Sequence, residues 1–565
     1  MDVFGLNVLI FLPLIAAVIV WALPERRESL AGRIALIVGL VTFVASLGLW
    51  LCLPSATSSD PDALLGDAAI EWIFVGERVA EVDGSPLSRG FALRYHVGLD
   101  AISAPLAALT GLLVPLAIWC SFSAIRKRQR EYYAWLLALA TGMFGVFAAR
   151  DALLFYVFFE FTLVPLYFLI GIWGGPQRRY AASKFFLFTF VGSVITFAGI
   201  MYLGIRAAEI QGTGVIDFDL VKLSTLSLRQ LGTTEQSLLF VAFFCGFAIK
   251  VPFFPLHTWL PLAHTEAPTA GSVLLAGVLL KLGTYGFLRF SLPMVPGGAL
   301  DWARVMGVLA IAGIIYGALC CWVQRDVKKL VAYSSVSHLG FCMLGMFSLL
   351  PMGLSGSVLY MVNHGISTGA LFLVVGMIYE RYHTRDLTEI GGLARQMPVL
   401  AFFFMLFVLS SIGLPGLNGF VSEFTVLLAA FNSEVLGSRW FGVIGATGIL
   451  LGAIYMLYAA GKILFGPVKE PPGTPDLSAG LSRDLNAREV VILAPLAALV
   501  VILGVAPRLI TDTLDPALES QVMSRVQAAI QRQDAISPQP APSFVFAAEM
   551  SAAEDGVALA AEGGR

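Results

Sequence analysis

Six ionisable side chains lie inside apolar stretches of this 565-residue chain, where a charge is costly. They comprise two glutamates, two lysines and two histidines: Glu160, Glu423, Lys250, Lys281, His338 and His364. An ionised side chain at the centre of a membrane helix costs roughly 2.5–3.5 kcal/mol on insertion scales, so such residues usually mark function. An acid, a lysine and an intervening imidazole can together pass a proton along. The residue types therefore predict proton translocation.

The alternative explanation is that these groups only hold helices together through hydrogen bonds. For a single membrane histidine the two explanations are equally good. Six acidic, basic and imidazole groups in one chain favour transport. A pair formed by Glu160 and Lys250 could exchange partners as its charge changes, although the spacing alone does not show that the two side chains touch.

Helix-breaking residues stand beside two of the six. Two prolines follow Lys250, and a run of glycine and proline precedes Glu423; these are Pro252, Pro255, Gly413, Pro415, Gly416 and Gly419. Proline removes a backbone donor, and irregular backbone persists in a membrane only where protein or water satisfies the freed groups. The pattern predicts two discontinuous helices that line a hydrated path.

The composition sets the class of protein. Hydrophobic residues make up 58% of the chain and charged residues 13%, against roughly a quarter charged in soluble proteins. We predict an all-α polytopic membrane protein with about fourteen transmembrane helices, because apolar blocks long enough to span occur at 4–23, 31–53, 97–120, 133–149, 152–173, 180–205, 237–260, 268–291, 302–322, 330–350, 353–379, 399–431, 441–465 and 488–507. The net charge of −2 gives no indication of nucleic-acid binding.

The charged helices recur at matching positions in two groups of five helices. Each group has an ionisable residue in its second helix (Glu160, His338) and a broken, charged fourth helix (Lys250, Glu423). Because five is odd, the second group must run in the opposite direction, which is the inverted repeat of many transporters. The predicted organisation is three helices with an outer hairpin loop at 54–96 (1–130), the two repeats (131–295 and 296–470), a last transmembrane helix (471–510) and a polar, partly disordered tail (511–565).

Arginine and lysine concentrate in alternate connections between the blocks, which predicts that both termini face away from the cytoplasm. On that outer side, alternation around Ile70–Val75 and Phe91–Tyr95, with Asp83-Gly84 between them, predicts a β-hairpin. A short surface helix is expected within 206–236, and an amphipathic segment from about Thr511.

Redox and nucleotide chemistry are not expected in this chain. Its six cysteines include no C-x-x-C pair, and no glycine-rich phosphate loop occurs. We therefore expect no metal and no cofactor here.

Three segments resemble the proton-pumping, antiporter-like membrane subunits of complex I, the respiratory NADH:quinone oxidoreductase. They are LHTWLPLAHTEAPTAGSVLLAGVLLK (256–281), KKLVAYSSVSHLGF (328–341) and GLDAISAPL (98–106), and the likeness covers nearly all of residues 1–510. In that family the last broken helix usually carries lysine but has glutamate in the M-type chain. Glu423 and FFEFTLVPLYFLIGIWGG (158–175) resemble the M type.

The resemblance implies roles for the six residues. Glu160 and Lys250 match the input pair, Lys281 with His338 and His364 matches the central relay, and Glu423 matches the terminal site. At Leu262 relatives usually carry Asp, so a structural role is the better interpretation of His257 and His264.

The resemblance also implies a setting. NADH, FMN, iron–sulfur clusters and quinone belong to partner subunits, the L- and N-type chains are neighbours, and the location is a bacterial inner (cytoplasmic) membrane. The alternatives are a subunit of a cation/proton antiporter or of a membrane-bound hydrogenase.

Overall fold

The computed structural model of the chain describes residues 3–57, 60, 62–78, 88–211, 215–477 and 481–536. Helices dominate these ranges. In the N-terminal part they are α1 (Val3–Trp21), α2 (Leu30–Thr57), α3 (Ala104–Ala124), α4 (Gln129–Ala148), α5 (Ala152–Trp173, interrupted at Thr162) and α6 (Arg178–Gln211). The central part continues with α7 (Leu220–Gln230), α8 (Thr233–Lys250), α9 (Leu260–Glu266), α10 (Thr269–Met294), α11 (Pro296–Trp322), α12 (Val327–Phe347) and α13 (Pro351–Tyr382). After it come α14 (Pro398–Ser411), α15 (Asn418–Asn432), α16 (Trp440–Leu464) and α17 (Ala487–Val505).

Twelve helices in the described ranges are long and apolar enough to cross a membrane. They are α1–α6, α10–α13, α16 and α17. The two remaining predicted blocks, 237–260 and 399–431, each contain an interruption and so yield the pairs α8/α9 and α14/α15. The prediction of a polytopic helical membrane protein is confirmed, and the inverted relation of the two groups of five helices stays a prediction.

One predicted boundary is wrong. The apolar block 97–120 begins in a β-strand, and α3 begins only at Ala104. Between them the Asp100 carboxylate accepts hydrogen bonds from the backbone N–H groups of Ile102 and Ser103, at 3.2 and 2.9 Å. Such a local turn competes with helix at the start of an apolar run, a signal that hydropathy does not carry.

The predicted β-hairpin is present. Strands β1 (Leu65–Arg78) and β2 (Ser88–Leu99) pair antiparallel, and the register places Ile70 opposite Tyr95. A two-residue strand β3 (Val215–Ile216) adds to β2 in parallel. Asp83-Gly84 lies outside the described residues. The expected short surface helix is α7, directly after β3.

A C-terminal helix lies on the same side as the hairpin. It runs from Arg508 to Leu518, through a π-helical turn at Glu519–Met523, and on to Ile536. One face is buried, and it includes Ile510, Leu514, Leu518 and Val522. The side chain of Gln521 accepts a 2.6 Å hydrogen bond from Arg289 at the end of α10. The expected amphipathic segment is therefore a docked helix, and the tail beyond 536 lies outside the described residues.

These elements define two sides of the molecule. The hairpin side carries β1, β2, α7 and the C-terminal helix. The basic side carries the short connections after α1, α3, α5, α11 and α13. On the basic side a buried, bidentate ion pair joins Arg381 of α13 to Glu489 of α17, at 2.9 and 2.7 Å.

Candidate functional site

Lys281 is placed by a local irregularity in α10. A π-helical turn, Leu275–Leu279, ends two residues before it, and its side chain is fully buried. The Lys281 ammonium donates to the carbonyl of Ala276 and lies 2.6 Å from Nδ1 of His364 on α13. π-turns add a residue to a helix and often occur at functional sites. Here the turn accompanies a lysine that is directed at a histidine.

The two relay histidines face each other across α12 and α13. His364 places Nε2 at 3.2 Å from the Ser335 hydroxyl, and its ring centroid is 5.6 Å from that of His338. Ser335 and His338 lie three residues apart on α12, so they share a helix face. The histidines are neighbours without a direct hydrogen bond in the described structure.

Tyr360 connects His338 to Glu423. Its hydroxyl lies 2.7 Å from Nδ1 of His338 and donates to Oε1 of Glu423 at 2.9 Å. The same histidine nitrogen is 3.8 Å from Glu423 Oε1. All three side chains are at least nine-tenths buried. A proton leaving His338 therefore has a hydroxyl to pass through on the way to the carboxylate.

A small polar cavity lies beside this group. It is lined by both histidines, Tyr360, Glu423 and a set of serine, threonine and asparagine side chains, and its volume is about 10 Å³. That is close to the space one water molecule needs, and a buried water needs several polar partners of this kind. Nε2 of His338 is buried without a hydrogen-bond partner in the described structure. A water in the cavity could bridge the step between the histidines.

The second helix break holds Glu423 in place. Gly413 has a φ of +71°, and a Cβ added there would lie 2.2 Å from Oε2 of Glu423. Asn363 of α13 donates to the backbone carbonyl of Asn418 at 2.8 Å, at the start of α15. Within the break, the backbone N–H groups of Gly413, Leu414 and Leu417 donate to nearby backbone carbonyls, so protein groups satisfy these donors, as a break at membrane depth requires.

Glu160 and Lys250 form a separate group on α5 and α8. Lys250 is the last residue of α8, and its ammonium donates to the Thr162 hydroxyl at 3.2 Å and lies 4.5 Å from the centroid of the Phe159 ring. Thr162 is where α5 is interrupted, two residues after Glu160. No ion pair within 4 Å joins Glu160 to Lys250 among the described residues, and Oε1 of Glu160 is buried without a partner there. The two charges are adjacent across Thr162 rather than paired.

Lys250 and Lys281 point in different directions. Lys250 is directed at α5 and Lys281 at α13. Where α8 meets α10, a Cβ at Gly283 would lie 2.7 Å from the carbonyl oxygen of Phe247, so the backbones are in close contact. Aromatic rings pack around this contact, among them Phe247, Phe287 and Phe290. The six predicted residues thus form two clusters, Glu160–Lys250 and Lys281–Glu423.

His257 and His264 have aromatic surroundings. His257 lies against Phe254 and Tyr316, and the ring of His264 stacks on Phe372 with centroids 4.6 Å apart. Neither ring nitrogen of His264 has a hydrogen-bond partner in the described structure. Their structural role stays a prediction.

A polar cavity on the basic side has a volume of about 410 Å³. Glu266, Lys328, Glu380 and Arg385 contribute charged groups to its wall, and none of the six predicted residues lines it. Across the described ranges, no three His, Cys, Asp or Glu side chains are grouped so that they could hold a metal ion.

Sequence reasoning missed the uncharged members of both clusters. Tyr360 precedes His364 by one helical turn, and this i, i+4 spacing could have identified it. Thr162, Ser335 and Asn363 carried no comparable signal, because hydroxyl and amide side chains are common in membrane helices.

The fold and the two clusters define a class: a multi-pass membrane protein with buried titratable side chains next to broken helices. Residues 149–452 match the family model described as NADH:quinone oxidoreductase/Mrp antiporter, TM. The chain is 40% identical over 527 residues to NADH-quinone oxidoreductase subunit M of Rhodobacter capsulatus, covering 92% of this chain and 96% of that one. The chain belongs to the NADH:quinone oxidoreductase/Mrp antiporter membrane-subunit family.

Solved structures agree with this assignment. A chain of respiratory complex I from Thermus thermophilus superposes with a TM-score of 0.75 at 28% identity, covering 93% of this chain and 99% of that one. A chain of the Mrp complex from Dietzia sp. DQ12-45-1b gives a TM-score of 0.73 at 20% identity, with coverage of 93% and 99%. The second likeness is one of fold alone.

Proposed function

We propose that this chain is the M-type proton-translocating subunit of a respiratory NADH:quinone oxidoreductase. The observation that carries the proposal is the series of contacts from Lys281 to His364, and from His338 through Tyr360 to Glu423, inside a bundle of membrane helices. Similarity to subunit M of Rhodobacter capsulatus supports the assignment to complex I.

In this proposal the two clusters act in sequence. A proton enters near Glu160, and a change of charge at Lys250 shifts the balance at Lys281. Lys281 then exchanges a proton with His364, and the proton passes to His338 and through Tyr360 to Glu423. Glu423 is the last buried titratable stop before release on the hairpin side. This order of proton transfers is supported by the side-chain contacts within the second cluster. In the first cluster it is supported by Thr162, which accepts a hydrogen bond from Lys250 and lies two residues after Glu160.

The energy comes from other subunits. NADH oxidation and quinone reduction, with FMN and iron–sulfur clusters, belong to partner subunits, and the L- and N-type chains adjoin this one in the membrane. We place the chain in the cytoplasmic membrane of a bacterium with both termini on the outer side, because the basic connections share one side. The five-helix units are 131–295 and 296–470, and the broken helices α8/α9 and α14/α15 support that division.

A series of Glu423 variants tests the proposal. Glu423→Asp keeps the acid and shortens its reach by one methylene, so much pumping should remain. Glu423→Gln keeps the size but cannot carry the proton, so pumping by the complex in reconstituted vesicles should fall severely. Pumping is normalised to assembled complex, which separates transport from stability. Near-normal pumping by Glu423→Gln would mean that protons leave elsewhere.

Two related assemblies are the alternatives, a cation/proton antiporter and a membrane-bound hydrogenase. Glutamate rather than lysine at position 423 favours the M-type chain. Proteins that co-purify with the chain in mild detergent distinguish the three: flavin- and iron–sulfur-containing NADH dehydrogenase subunits are expected, and a hydrogenase or antiporter set would contradict the assignment.

A further inference from the structure

A second large cavity opens on the hairpin side, between α13, α15 and the C-terminal helix. Its volume is about 570 Å³. The polar part of its wall consists of Ser355 on α13, Thr425 on α15, and Thr511, Asp515 and Glu519 on the C-terminal helix. The cavity is large enough for many waters.

The cavity adjoins the Glu423 cluster from the hairpin side. Gly356 lines it, and Gly356 lies one helical turn before Tyr360, the donor to Glu423. Val421 and Thr425 also line it, on either side of Glu423 in the sequence. At this seam α13 and α15 are in close contact, since a Cβ at Gly356 would lie 3.1 Å from Cγ2 of Thr425. One turn of helix thus separates the hydrogen-bond donor to the buried acid from a cavity that can hold many waters.

The C-terminal helix places its acids toward this space. Thr511, Asp515 and Glu519 follow one another at four-residue intervals, so they share one face of the helix. The adjacent face, with Ile510, Leu514 and Leu518, is buried and fixes the rotation of the helix. Asp512 and Asp515 are both exposed residues of this helix, but only Asp515 lines the cavity.

We propose that Asp515 is a proton-release residue: it receives the proton that leaves Glu423 and hands it to bulk water on the hairpin side. This inference rests on the proposed function. In the step, the O–H bond at the Glu423 carboxyl breaks, water in the cavity carries the proton, and an O–H bond forms at the Asp515 carboxylate. Release to water then restores the Asp515 carboxylate. No oxidant or reductant takes part.

The surroundings of Asp515 suit this exchange. Partial burial beside α13 raises the pKa of the Asp515 carboxyl, and the negative charge of Asp512 adds to the rise, while a hydrogen bond with Ser355 opposes it. Glu519 is the other titratable group on the cavity wall. A carboxyl that holds its proton more readily than a free aspartate can accept one from a buried glutamate.

The test compares two aspartates on the same helix in the assembled complex. Asp515→Asn should lower the number of protons pumped per NADH oxidised severalfold, and Asp515→Glu should restore most of it. Asp512→Asn removes the same charge outside the cavity and withdraws only the contribution of Asp512 to the Asp515 pKa, so it should lower the ratio much less than Asp515→Asn. Equal effects of the two asparagine variants would mean that pumping responds only to the loss of a surface charge, and this outcome would overturn the inference.

A cysteine probe gives a second measurement that needs no change at Asp515. Thr511→Cys, labelled with a bulky maleimide in the purified complex before reconstitution, should obstruct the cavity and lower pumping severalfold. Asp512→Cys with the same label leaves the cavity open and should pump much more than labelled Thr511→Cys, and the labelled unaltered chain accounts for native cysteines. Normal pumping by labelled Thr511→Cys would overturn the inference. If Asp515→Asn pumps normally while Glu423→Gln does not, the release residue is wrong and the proposed function stands.

Discussion

The Tyr360 hydroxyl donates a 2.9 Å hydrogen bond to Oε1 of Glu423, and this contact joins α13 to α15 in the interior of the bundle. The Tyr360 hydroxyl oxygen also lies 2.7 Å from Nδ1 of His338. A phenol can accept a proton on one side while donating on the other. The uncharged tyrosine is therefore as much part of the route as the charged residues around it.

Removing only this hydroxyl tests that role. Tyr360→Phe keeps the ring, which packs against Phe341, and breaks both hydrogen bonds. We expect the pumping rate to fall by up to about 10²-fold. A loss of about 10²-fold is the smallest that removal of a positioned proton-transfer group usually causes. The control is Tyr133→Phe, a buried tyrosine of α4 away from both clusters. The measurement is pumping per assembled complex, and equal values for the two variants would argue against transfer through Tyr360.

The first cluster is tested by changing the group between its charges. Glu160→Gln and Lys250→Ala should each abolish most coupled pumping while the complex still assembles. Thr162→Val removes the hydroxyl that accepts from Lys250 and keeps the shape of the side chain. It should lower pumping less than either charge change, because it disturbs position and not charge. If Glu160→Gln or Lys250→Ala pumped normally, that residue would be only a structural link between helices.

Alanine substitutions at two glycines of the second helix break distinguish the effect of backbone strain from the effect of displacing the Glu423 side chain. Gly413 and Gly416 have φ values of +71° and +90°, where alanine costs roughly 1–2 kcal/mol. A Cβ at Gly416 meets nothing within 4 Å, whereas one at Gly413 meets the Glu423 carboxylate. Both Ala variants should lower the thermal stability of the subunit in the complex. Gly413→Ala alone should also lower pumping per assembled complex, and similar pumping by both would contradict a positioning role for Gly413.

The hairpin side contains a contact whose strength should depend on pH. His96 of β2 bonds to Asp219 at 3.1 Å and to Asp67 at 3.0 Å. The hydrogen bond to Asp219, with help from Asp67, raises the pKa of His96 above its usual value of about 6.5. A raised folded-state pKa means that the contact stabilises fully below the unfolded-state pKa and is lost as the pH rises through the folded-state pKa.

Amide hydrogen exchange of β2 in the assembled complex measures this effect. The β2 amides should be more protected from exchange below about pH 6 than at about pH 8, after correction for intrinsic exchange rates. His96→Gln keeps hydrogen-bonding capacity without the titration, so its protection should be insensitive to pH over this range. A pH response of equal size in His96→Gln would assign it to another group.

The sequence was sufficient for the helices, the breaks and the hairpin, because each depends on local composition. Apolar length predicts a span, proline and glycine predict the interruptions, and alternation predicts β1 and β2. It was not sufficient for the link through Tyr360 or for the separation of Glu160 from Lys250. Both features depend on side-chain rotamers. The direction of Lys281 depends also on the π-turn before it, which shifts the helix face on which the following side chains lie. Asp100 shows the same limit at an element boundary, where a local turn delays α3.

The two helix breaks place opposite electrostatic ends beside opposite charges. Lys250 is the last residue of α8, at the C-terminal end of a helix macrodipole, which carries partial negative charge. Glu423 lies in the second turn from the N-terminal end of α15, which carries partial positive charge, and its carboxylate lies next to Gly413. The dipole of α8 therefore favours the ionised Lys250 by an energy of the order of 1 kcal/mol, and that of α15 favours the ionised Glu423 by less, because the effect falls off beyond the first turn. An acid in place of Lys250 would stand at the unfavourable end of α8, so the direction of that half-helix favours a base at the first break.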